Sequence, residues 1–183
     1  MNLSEYKATI AREILPRTSA FLLRSDQVCL GLKKRGFGKG YYLGIGGKVE
    51  KEIDSFAGDT DKMMMVRRGA CREIREEVGV TVKLEDLQFM GSLNFYFPHV
   101  PDESWNEEVY IFTVNKWAGE PIAQKDQNGE VEIEPEWVPL TQLPFDKMWD
   151  DARYWLPLIL KDRKVNGEFL FDENLLVVDH YLI

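Results

Sequence analysis

The stretch Arg72-Glu73-Ile74-Arg75-Glu76-Glu77-Val78-Gly79-Val80 places three carboxylates within five residues. In a helix, spacings of three and four residues bring Glu73, Glu76 and Glu77 to one side. Such a cluster repels itself, and a divalent cation would neutralise it. Mg²⁺ and Mn²⁺ take oxygen ligands and often complete their shell with water and substrate phosphates. The stretch therefore predicts a metal-dependent enzyme acting on a phosphate compound, and an acidic, solvated helix face is the alternative.

The residues around this stretch predict a helix with one core-facing side. At 100° per residue its apolar residues fall within a sector roughly 120° wide, and they are Met63, Val66, Ala70, Ile74 and Val78. Arg72 precedes Glu76 by four residues, so it can hold that carboxylate in place. Gly79 predicts the end of the helix, because a left-handed residue commonly follows the last turn.

Apolar patterning and turn residues predict further elements along the chain. Residues 1–16 form a short amphipathic N-terminal extension before a domain over residues 17–183, with Tyr6, Ile10 and Ile14 at four-residue spacing. A second helix is predicted to begin at Trp155. The predicted strands are a hairpin over Thr18–Leu32, then Leu43–Val49, Thr81–Leu84, Leu87–Phe97, Glu108–Asn115 and Trp137–Leu140, with a closing hairpin from Phe169–Phe171 and Leu175–Leu182.

Composition limits the kind of protein this is. A chain of 183 residues is most simply one domain with a substantial core. The net charge of −8 argues against general nucleic-acid binding, which needs Lys and Arg to neutralise phosphates. Cys29 and Cys71 lie in apolar contexts and give no disulfide framework. With neither a membrane-length apolar run nor a signal-peptide pattern, we expect a cytoplasmic protein that does not bind membranes.

The helical stretch also carries a known pattern. REUXEEXGU, with U an aliphatic residue, is the second half of the signature GX5EX7REUXEEXGU, and residues 72–80 match it without exception. The chain therefore resembles the Nudix hydrolase family. The resemblance implies an α/β fold, specifically an α/β/α sandwich with a mixed β-sheet. It also implies hydrolysis of a nucleoside diphosphate linked to another group, commonly by a monomer.

The first half of the signature departs from the pattern. From Gly47 to Arg72 is 25 positions, whereas the signature requires 14. The expected glutamate falls on Ile53, with Glu50 and Glu52 nearby and Glu52 the better substitute. The extra residues lie around 53–62 (IDSFAGDTDK), and we hypothesise that they form a mobile flap near the metal site. Loops accept insertions at small entropic cost, so the metal helix can survive this one.

The resemblance extends from Thr18 to about Tyr181, where the chain is similar to the MutT-homologue branch that includes the animal 8-oxo-dGTP diphosphatases. The matching strings are KKRGFG (33–38), GGKV (46–49), PF (144–145), MW (148–149) and YWLPL (154–158). This similarity implies hydrolysis of oxidised purine nucleoside triphosphates, such as 8-oxo-dGTP or 2-oxo-dATP, to the monophosphate and pyrophosphate. The role would be nucleotide-pool sanitation.

The resemblance also assigns the catalytic and metal-binding residues. It implies a Mg²⁺ or Mn²⁺ ion held by the Gly46 carbonyl and by the carboxylates of Glu73, Glu76, Glu77 and Glu132. Arg72 would orient Glu76 without touching substrate. Glu132 would be the distal glutamate that assists metal binding or catalysis. Judged by its own surroundings, it is equally an exposed residue in the acid-rich segment 130–136.

The substrate-binding residues follow from the same resemblance. Phe37 and Trp149 would flank the purine, since flat rings stack on bases. The remaining matches are Thr18 and Lys33 near the sugar, Phe95 and Phe97 on the pocket floor or simply in the core, and Asp151 on the Watson–Crick edge.

Two base-reading positions depart from the branch. An expected asparagine falls on Leu43, and a second aspartate falls on Ala152 unless Asp150 takes its place. A pocket built to hydrogen-bond a base discriminates through those bonds, so these changes bear on specificity. The alternatives are a Nudix hydrolase of another nucleotide or of an RNA 5′ end, and a non-catalytic nucleotide sensor. All three helix glutamates are present, which favours an enzyme.

Overall fold

A mixed β-sheet forms the centre of the computed structural model, which describes residues 1–12, 14–58, 60–100 and 105–183. Within these residues the sheet has eight strands in the order β3-β2-β1-β5-β4-β7-β8, with β6 paired to β2. The strands are β1 (Pro16–Arg24), β2 (Gln27–Lys33), β3 (Tyr42–Leu43), β4 (Leu87–Tyr96), β5 (Glu107–Val114), β6 (Ile133–Pro139), β7 (Val165–Phe171) and β8 (Val177–Leu182). Strands β1 and β5 pair in parallel, as do β4 and β7, and the other pairs are antiparallel.

Alternation along the strands gives the sheet two apolar faces. On β1, Phe21 belongs to one core, whereas Ala20 and Leu22 belong to the other. Helix α3 (Lys62–Val78) covers the Leu22 face, and helix α4 (Ala152–Ile159) covers the Phe21 face. This arrangement confirms the predicted α/β/α sandwich. Among the described residues, no helix has the length and apolarity needed to cross a membrane.

Helix α3 forms as its sequence predicts. The Asp61 side chain accepts a hydrogen bond from the Met63 amide and caps the first turn. Its core-facing residues Val66, Ala70, Ile74 and Val78 are fully buried, although Met63 is only partly buried. Gly79 ends the helix with a left-handed φ of 73°.

Two of the predicted strands are wrong, one in its extent and one altogether. The segment Leu43–Val49 keeps only Tyr42–Leu43 in β3, followed by single bridges from Ile45 and Lys48 to β1. The segment runs antiparallel beside β1, but a Cβ at Gly46 would lie 2.3 Å from the Thr18 carbonyl oxygen, and the regular ladder is interrupted at this close approach. Thr81–Leu84 is not a strand. Thr81 makes one bridge to Ala118, and a 3₁₀ turn over Leu84–Asp86 follows.

Other boundaries shift by a few residues. Strand β6 begins at Ile133, four residues before its predicted start, because it pairs with β2 as far as Lys33. Helix α4 begins at Ala152 and not at Trp155. The C-terminal hairpin is present, with its first strand extended back to Val165.

The N-terminal extension packs on the sheet. Helix α1 (Leu3–Lys7) is capped by reciprocal hydrogen bonds between Asn2 and Glu5. The helix ends before Ile10 and Ile14, two of the three residues at four-residue spacing. All three still belong to one apolar cluster against the sheet, which comprises Leu3, Tyr6, Ile10, Ile14, Tyr96 and Leu170. A second short helix, α2 (Lys51–Asp54), precedes α3.

Gly91 gives a test of how tightly β4 and β7 pack. Its φ is 132°, and an added Cβ would lie 1.6 Å from the Val165 carbonyl oxygen. At Gly129, φ is 79° and no atom would lie within 4 Å. We expect Gly91→Ala to lower the free energy of unfolding by at least about 3 kcal/mol. Gly129→Ala should cost about 1 kcal/mol from backbone strain alone. Equal losses in chemical denaturation would show that strand packing does not set the difference.

Candidate active site

A cavity of about 490 Å³ opens on the sheet face that carries α4. Odd-numbered residues of neighbouring strands β1 and β5 line one wall, because alternate residues of a strand share a face. These residues are Arg17, Ser19, Phe21, Glu107, Val109 and Ile111. The segment between β2 and α2 and the start of α4 complete the enclosure.

The structure brings all the predicted substrate-binding residues to this cavity. They are Thr18, Lys33, Phe37, Leu43, Phe95, Phe97, Trp149 and Asp151. Gly46 and Glu132 also line it, while Arg72 and the three glutamates of α3 do not. The predicted residues therefore fall into two groups, one in the cavity and one on the helix.

Gly46 and Gly47 connect these two groups. The Gly46 amide donates a hydrogen bond of 2.9 Å to Glu77 Oε2. A Cβ at Gly47 would lie 2.6 Å from Glu73 Oε2, so a larger residue there would displace that carboxylate. The glycine pair thus lets the carboxylates of α3 approach the backbone that lines the cavity.

The carboxylates of Glu73 and Glu77 are in an environment that disfavours negative charge. Removal from water and the nearby charge of Glu73 raise the pKa of Glu77 well above its ordinary value, although the Gly46 amide opposes this. Burial also raises the pKa of Glu73, against the effect of Arg72. A cation between these groups would offset the unfavourable charge.

A hard divalent cation fits this donor set. Within the described residues, no three His, Cys, Asp or Glu side chains form a ready-made metal cluster, so the four predicted carboxylates are not assembled together. Glu76 is 59% exposed and contacts Arg72. Mg²⁺ commonly uses only one or two carboxylates, with water and substrate phosphates completing its shell. Glu73 and Glu77 satisfy that requirement, and a further carboxylate would be recruited with substrate.

Arg72 organises the carboxylates beside this site. Its Nη1 donates to Glu73 at 2.9 Å and to Glu76 at 3.0 Å, which includes the predicted contact with Glu76. Its Nε and Nη2 donate to the two oxygens of Asp54, each at 2.9 Å, and Nη2 also reaches the Lys48 carbonyl at 2.8 Å. Such a bidentate pair fixes the orientation of the guanidinium plane.

Among the described acids near the expected position of the first signature glutamate, Asp54 is the one that Arg72 hydrogen-bonds, and neither Glu52 nor Glu50 makes such a bond. Asp54 is 2% exposed, Glu52 is exposed, and a Glu50 oxygen lies 3.9 Å from Arg72. The turn of helix α2 points Asp54 inward, a direction that signature spacing cannot reveal. Gly69 makes room, since a Cβ there would lie 3.0 Å from Asp54 Oδ2.

The proposed flap over residues 53–62 is therefore anchored at its start by Asp54. Ile53 and Phe56 are exposed beside this anchor. Asp59 lies outside the described residues. The segment ends at Asp61 and Lys62, which begin α3, so its two ends belong to fixed elements.

Glu132 is paired within the cavity. Lys33 Nζ lies 3.0 Å from Glu132 Oε1, and Arg35 Nη2 lies 3.1 Å from its Oε2. Burial opposes ionisation of Glu132, but the hydrogen bonds from Lys33 and Arg35 outweigh it and lower its pKa. Glu132 also adds to the negative potential at Glu73 and Glu77. It is therefore an ionised acceptor near both of them, not a freely solvated loop residue.

Aromatic side chains form one side of the cavity. The ring centroids of Phe37 and Trp149 are 5.0 Å apart, so a purine would stack on one ring or displace it. Trp105, which the sequence analysis missed, packs on Phe37 at 4.5 Å. Phe95 and Phe97 serve both predicted roles, because they line the cavity and belong to the α4-side core.

Asp151 lies at the buried end of the cavity and is 4% exposed. Burial raises its pKa to about 7, although its carboxylate accepts a 2.6 Å hydrogen bond from Trp155 Nε1. Asp150 does not replace the missing second aspartate. Its carboxylate accepts from the Val177 amide at 3.0 Å and pairs with Arg153 at 2.9 Å. Leu43 and Ala152 leave apolar surface at the two departing positions.

Two charged residues of the cavity wall were also missed. Arg17 Nε lies 2.8 Å from Glu107 Oε1, and each side chain is about one-fifth exposed, at 21% and 22% respectively. The only signal in the sequence was that each alternates with apolar residues along its strand. That signal points to a pair only once β1 and β5 are known to be neighbours.

Comparison with known proteins identifies the family of this chain. The NUDIX domain model matches residues 14–159. The chain is 34% identical over 165 residues to the "Oxidized purine nucleoside triphosphate hydrolase" of Mus musculus, covering 90% of this chain and 92% of the mouse protein. The protein of the same name from Danio rerio has the same identity and coverage.

Solved structures show the same fold. The MutT protein of Bacillus halodurans aligns with a TM-score of 0.67 at 20% identity, covering 92% of this chain and 97% of that chain. A MutT NUDIX hydrolase from Burkholderia pseudomallei aligns with a TM-score of 0.56 at 21% identity, covering 73% and 88% respectively. From the domain match and the identity to its relatives, the chain belongs to the Nudix family and is a Nudix hydrolase.

Proposed function

We propose that this Nudix hydrolase converts purine nucleoside triphosphates to the monophosphate and pyrophosphate, with oxidised purines as leading substrates. The observation that carries the proposal is the Gly46–Gly47 backbone, which joins Glu73 and Glu77 to a cavity with aromatic walls. The names of the mouse and zebrafish relatives support this substrate class. Nucleotide-pool sanitation is the corresponding role, and the cytoplasm is the compartment we expect.

Nudix hydrolases use divalent metals, and Mg²⁺, with Mn²⁺ as the alternative, is our proposed cofactor. Glu73 and Glu77 would hold it, joined by the Gly46 carbonyl and, once substrate is bound, by Glu76 or Glu132. A bound divalent cation supplies charge neutralisation and lowers the pKa of bound water. Arg72 keeps Glu73 and Glu76 in position through its hydrogen bonds.

The charged residues of the cavity fit a triphosphate. Lys33 and Lys48 line it and present ammonium groups to anionic oxygens. When phosphate takes over Lys33, Glu132 loses one of its two cationic partners and can accept a proton from water. The base would lie on Phe37 or Trp149, with Asp151 at the buried end. We propose that the protein acts as a monomer on this small-molecule substrate.

A Nudix hydrolase of another nucleotide is the second candidate. The specific observation in its favour is the apolar surface at Leu43 and Ala152, which removes two hydrogen-bonding groups expected for oxidised bases. A panel of nucleotides separates the two candidates.

Release of pyrophosphate with Mg²⁺ should be measured for 8-oxo-dGTP, 2-oxo-dATP, dGTP and dATP. We expect the highest kcat/KM for an oxidised purine. Glu77→Gln should lower kcat at least about a hundredfold, because it removes a metal-binding charge. Glu85→Gln, on the surface, should leave kcat unchanged. Wild-type protein that binds nucleotide but releases no pyrophosphate with either metal would indicate a sensor, and similar low rates on all four would point to another substrate.

The hydrogen bonds between Asp54 and Arg72 predict that substitutions of Asp54 and of the nearby Glu52 have different effects on activity. Asp54→Asn should lower kcat roughly tenfold and reduce stability, because it removes the charge that holds Arg72 beside Glu73. Glu52→Gln, two residues away and exposed, should change neither. Thermal unfolding and steady-state kinetics measure both effects. If Glu52→Gln is the more damaging change, the assignment of Asp54 is wrong.

Asp151 predicts a pH dependence of stability. Its pKa is raised from 3.8 to about 7, so the folded protein holds this proton more tightly than the unfolded chain. The stabilising contribution of protonation is complete below about pH 4 and is lost as pH rises to about 7. Relative to Asp151→Asn, which does not titrate, the wild-type Tm should fall between about pH 4 and pH 7 and level off above that. A constant difference between the two proteins would show that Asp151 has an ordinary pKa.

A further inference from the structure

A charged pair in the cavity wall has no part in the proposed chemistry. Arg17 and Glu107 lie on neighbouring strands β1 and β5, with Arg17 Nε 2.8 Å from Glu107 Oε1. Both line the cavity, and each is about one-fifth exposed. The pair is also separate from α3, whose glutamates do not line the cavity.

The pair has apolar neighbours on the sheet and charged groups nearby. Glu107 is opposite Phe95 on β4, and Val109 follows it on the same face of β5. Partial burial raises the pKa of Glu107, and the charges of Arg17, Lys33 and Lys48 oppose that rise. Placing an ion pair in such a wall costs desolvation energy, which an apolar pair of similar size would avoid. Stability alone therefore gives no reason for these two residues.

The pair retains unused hydrogen-bonding capacity. Among the described residues, neither side chain makes another ion pair or side-chain hydrogen bond. No buried side-chain nitrogen or oxygen in that part of the chain lacks a partner. The remaining guanidinium N–H groups and carboxylate oxygen are therefore accessible from the cavity. They present donors beside an acceptor.

A donor beside an acceptor complements a lactam edge, in which a carbonyl group adjoins a ring N–H. The guanidinium donates to the carbonyl oxygen, and the carboxylate accepts from the N–H. Guanine has one such edge, and oxidation of a purine at C8 or C2 creates another. Adenine has none. Leu43 and Ala152 cannot make these bonds, because their side chains are apolar.

We propose that Arg17 and Glu107 are specificity-determining residues that read the lactam edge of the substrate purine. This inference rests on the proposed function and names the chemistry by which the cavity selects its base. It also explains how the cavity discriminates when two expected hydrogen-bonding residues are replaced by Leu43 and Ala152. The pair supplies polar groups from a different wall.

The test is the kcat/KM ratio for lactam-bearing substrates over dATP. The double variant Arg17→Met/Glu107→Met removes both charges together, so no buried charge is left unpaired. We expect the ratio of 8-oxo-dGTP to dATP to fall by roughly tenfold to a hundredfold, mainly through KM. The loss should be confined to the lactam-bearing substrates, because dATP cannot bond to both members of the pair.

A second ion pair serves as the matched control. Lys7 and Glu168 are 2.6 Å apart and do not line the cavity. Lys7→Met/Glu168→Met should leave the substrate ratio unchanged, even if it lowers Tm. A folding defect in the cavity variant would reduce the rates on all four substrates equally and leave their ratio intact, so the ratio reports recognition alone.

The outcomes separate the two proposals. An unchanged base ratio would overturn the lactam assignment. If the wild-type protein hydrolyses none of the triphosphates, base preference is measured as binding. For this purpose the increase in Tm caused by 8-oxo-dGMP and by dAMP is recorded for the same proteins. If wild type hydrolyses no triphosphate but prefers 8-oxo-dGMP, and the double variant loses that preference, the proposed function fails and this inference stands. If neither hydrolysis nor binding depends on the pair, the inference fails.

Discussion

The hydrogen bonds around the Arg72 guanidinium hold together the parts of the active site. One planar group contacts Asp54 from α2, the Lys48 carbonyl after the glycine pair, and Glu73 and Glu76 on its own helix. Because Arg72 is always ionised, these acceptors keep their places at any physiological pH. The proposed metal-binding side of α3 thus depends on a residue that itself need not touch metal or substrate.

This network explains how the chain carries an insertion in its signature. The extra residues lie mostly between Asp54 and α3, and Asp54, one position beyond the expected glutamate, hydrogen-bonds Arg72. Lengthening a loop costs little entropy when its ends are fixed. Here Asp54 fixes one end and the Asp61 cap fixes the other. The insertion therefore does not disturb Glu73 and Glu77, which are positioned by Arg72 and by the glycine pair.

The cavity combines two chemical environments on one face of the sheet. Lys33 and Glu132 face the side where the triphosphate would lie, and the aromatic wall and Asp151 form the deeper part. Arg17 and Glu107 add a charged pair to the cavity wall from strands β1 and β5. The proposed base selection thus depends on which strands are neighbours, while the proposed metal site depends on a local helical motif.

The sequence by itself determined the helix, its carboxylate-bearing face and the family, since periodicity and the motif are local properties of residues 63–80. It also named many of the residues that line the cavity, through strings whose spacing is retained, but not Trp105, Arg17 or Glu107. Only the tertiary structure decided that Asp54 binds Arg72, that Asp150 contacts Val177 outside the cavity, and that Arg17 meets Glu107. Those contacts join segments distant in the chain or depend on the direction of a side chain, and neither property is encoded in local patterning.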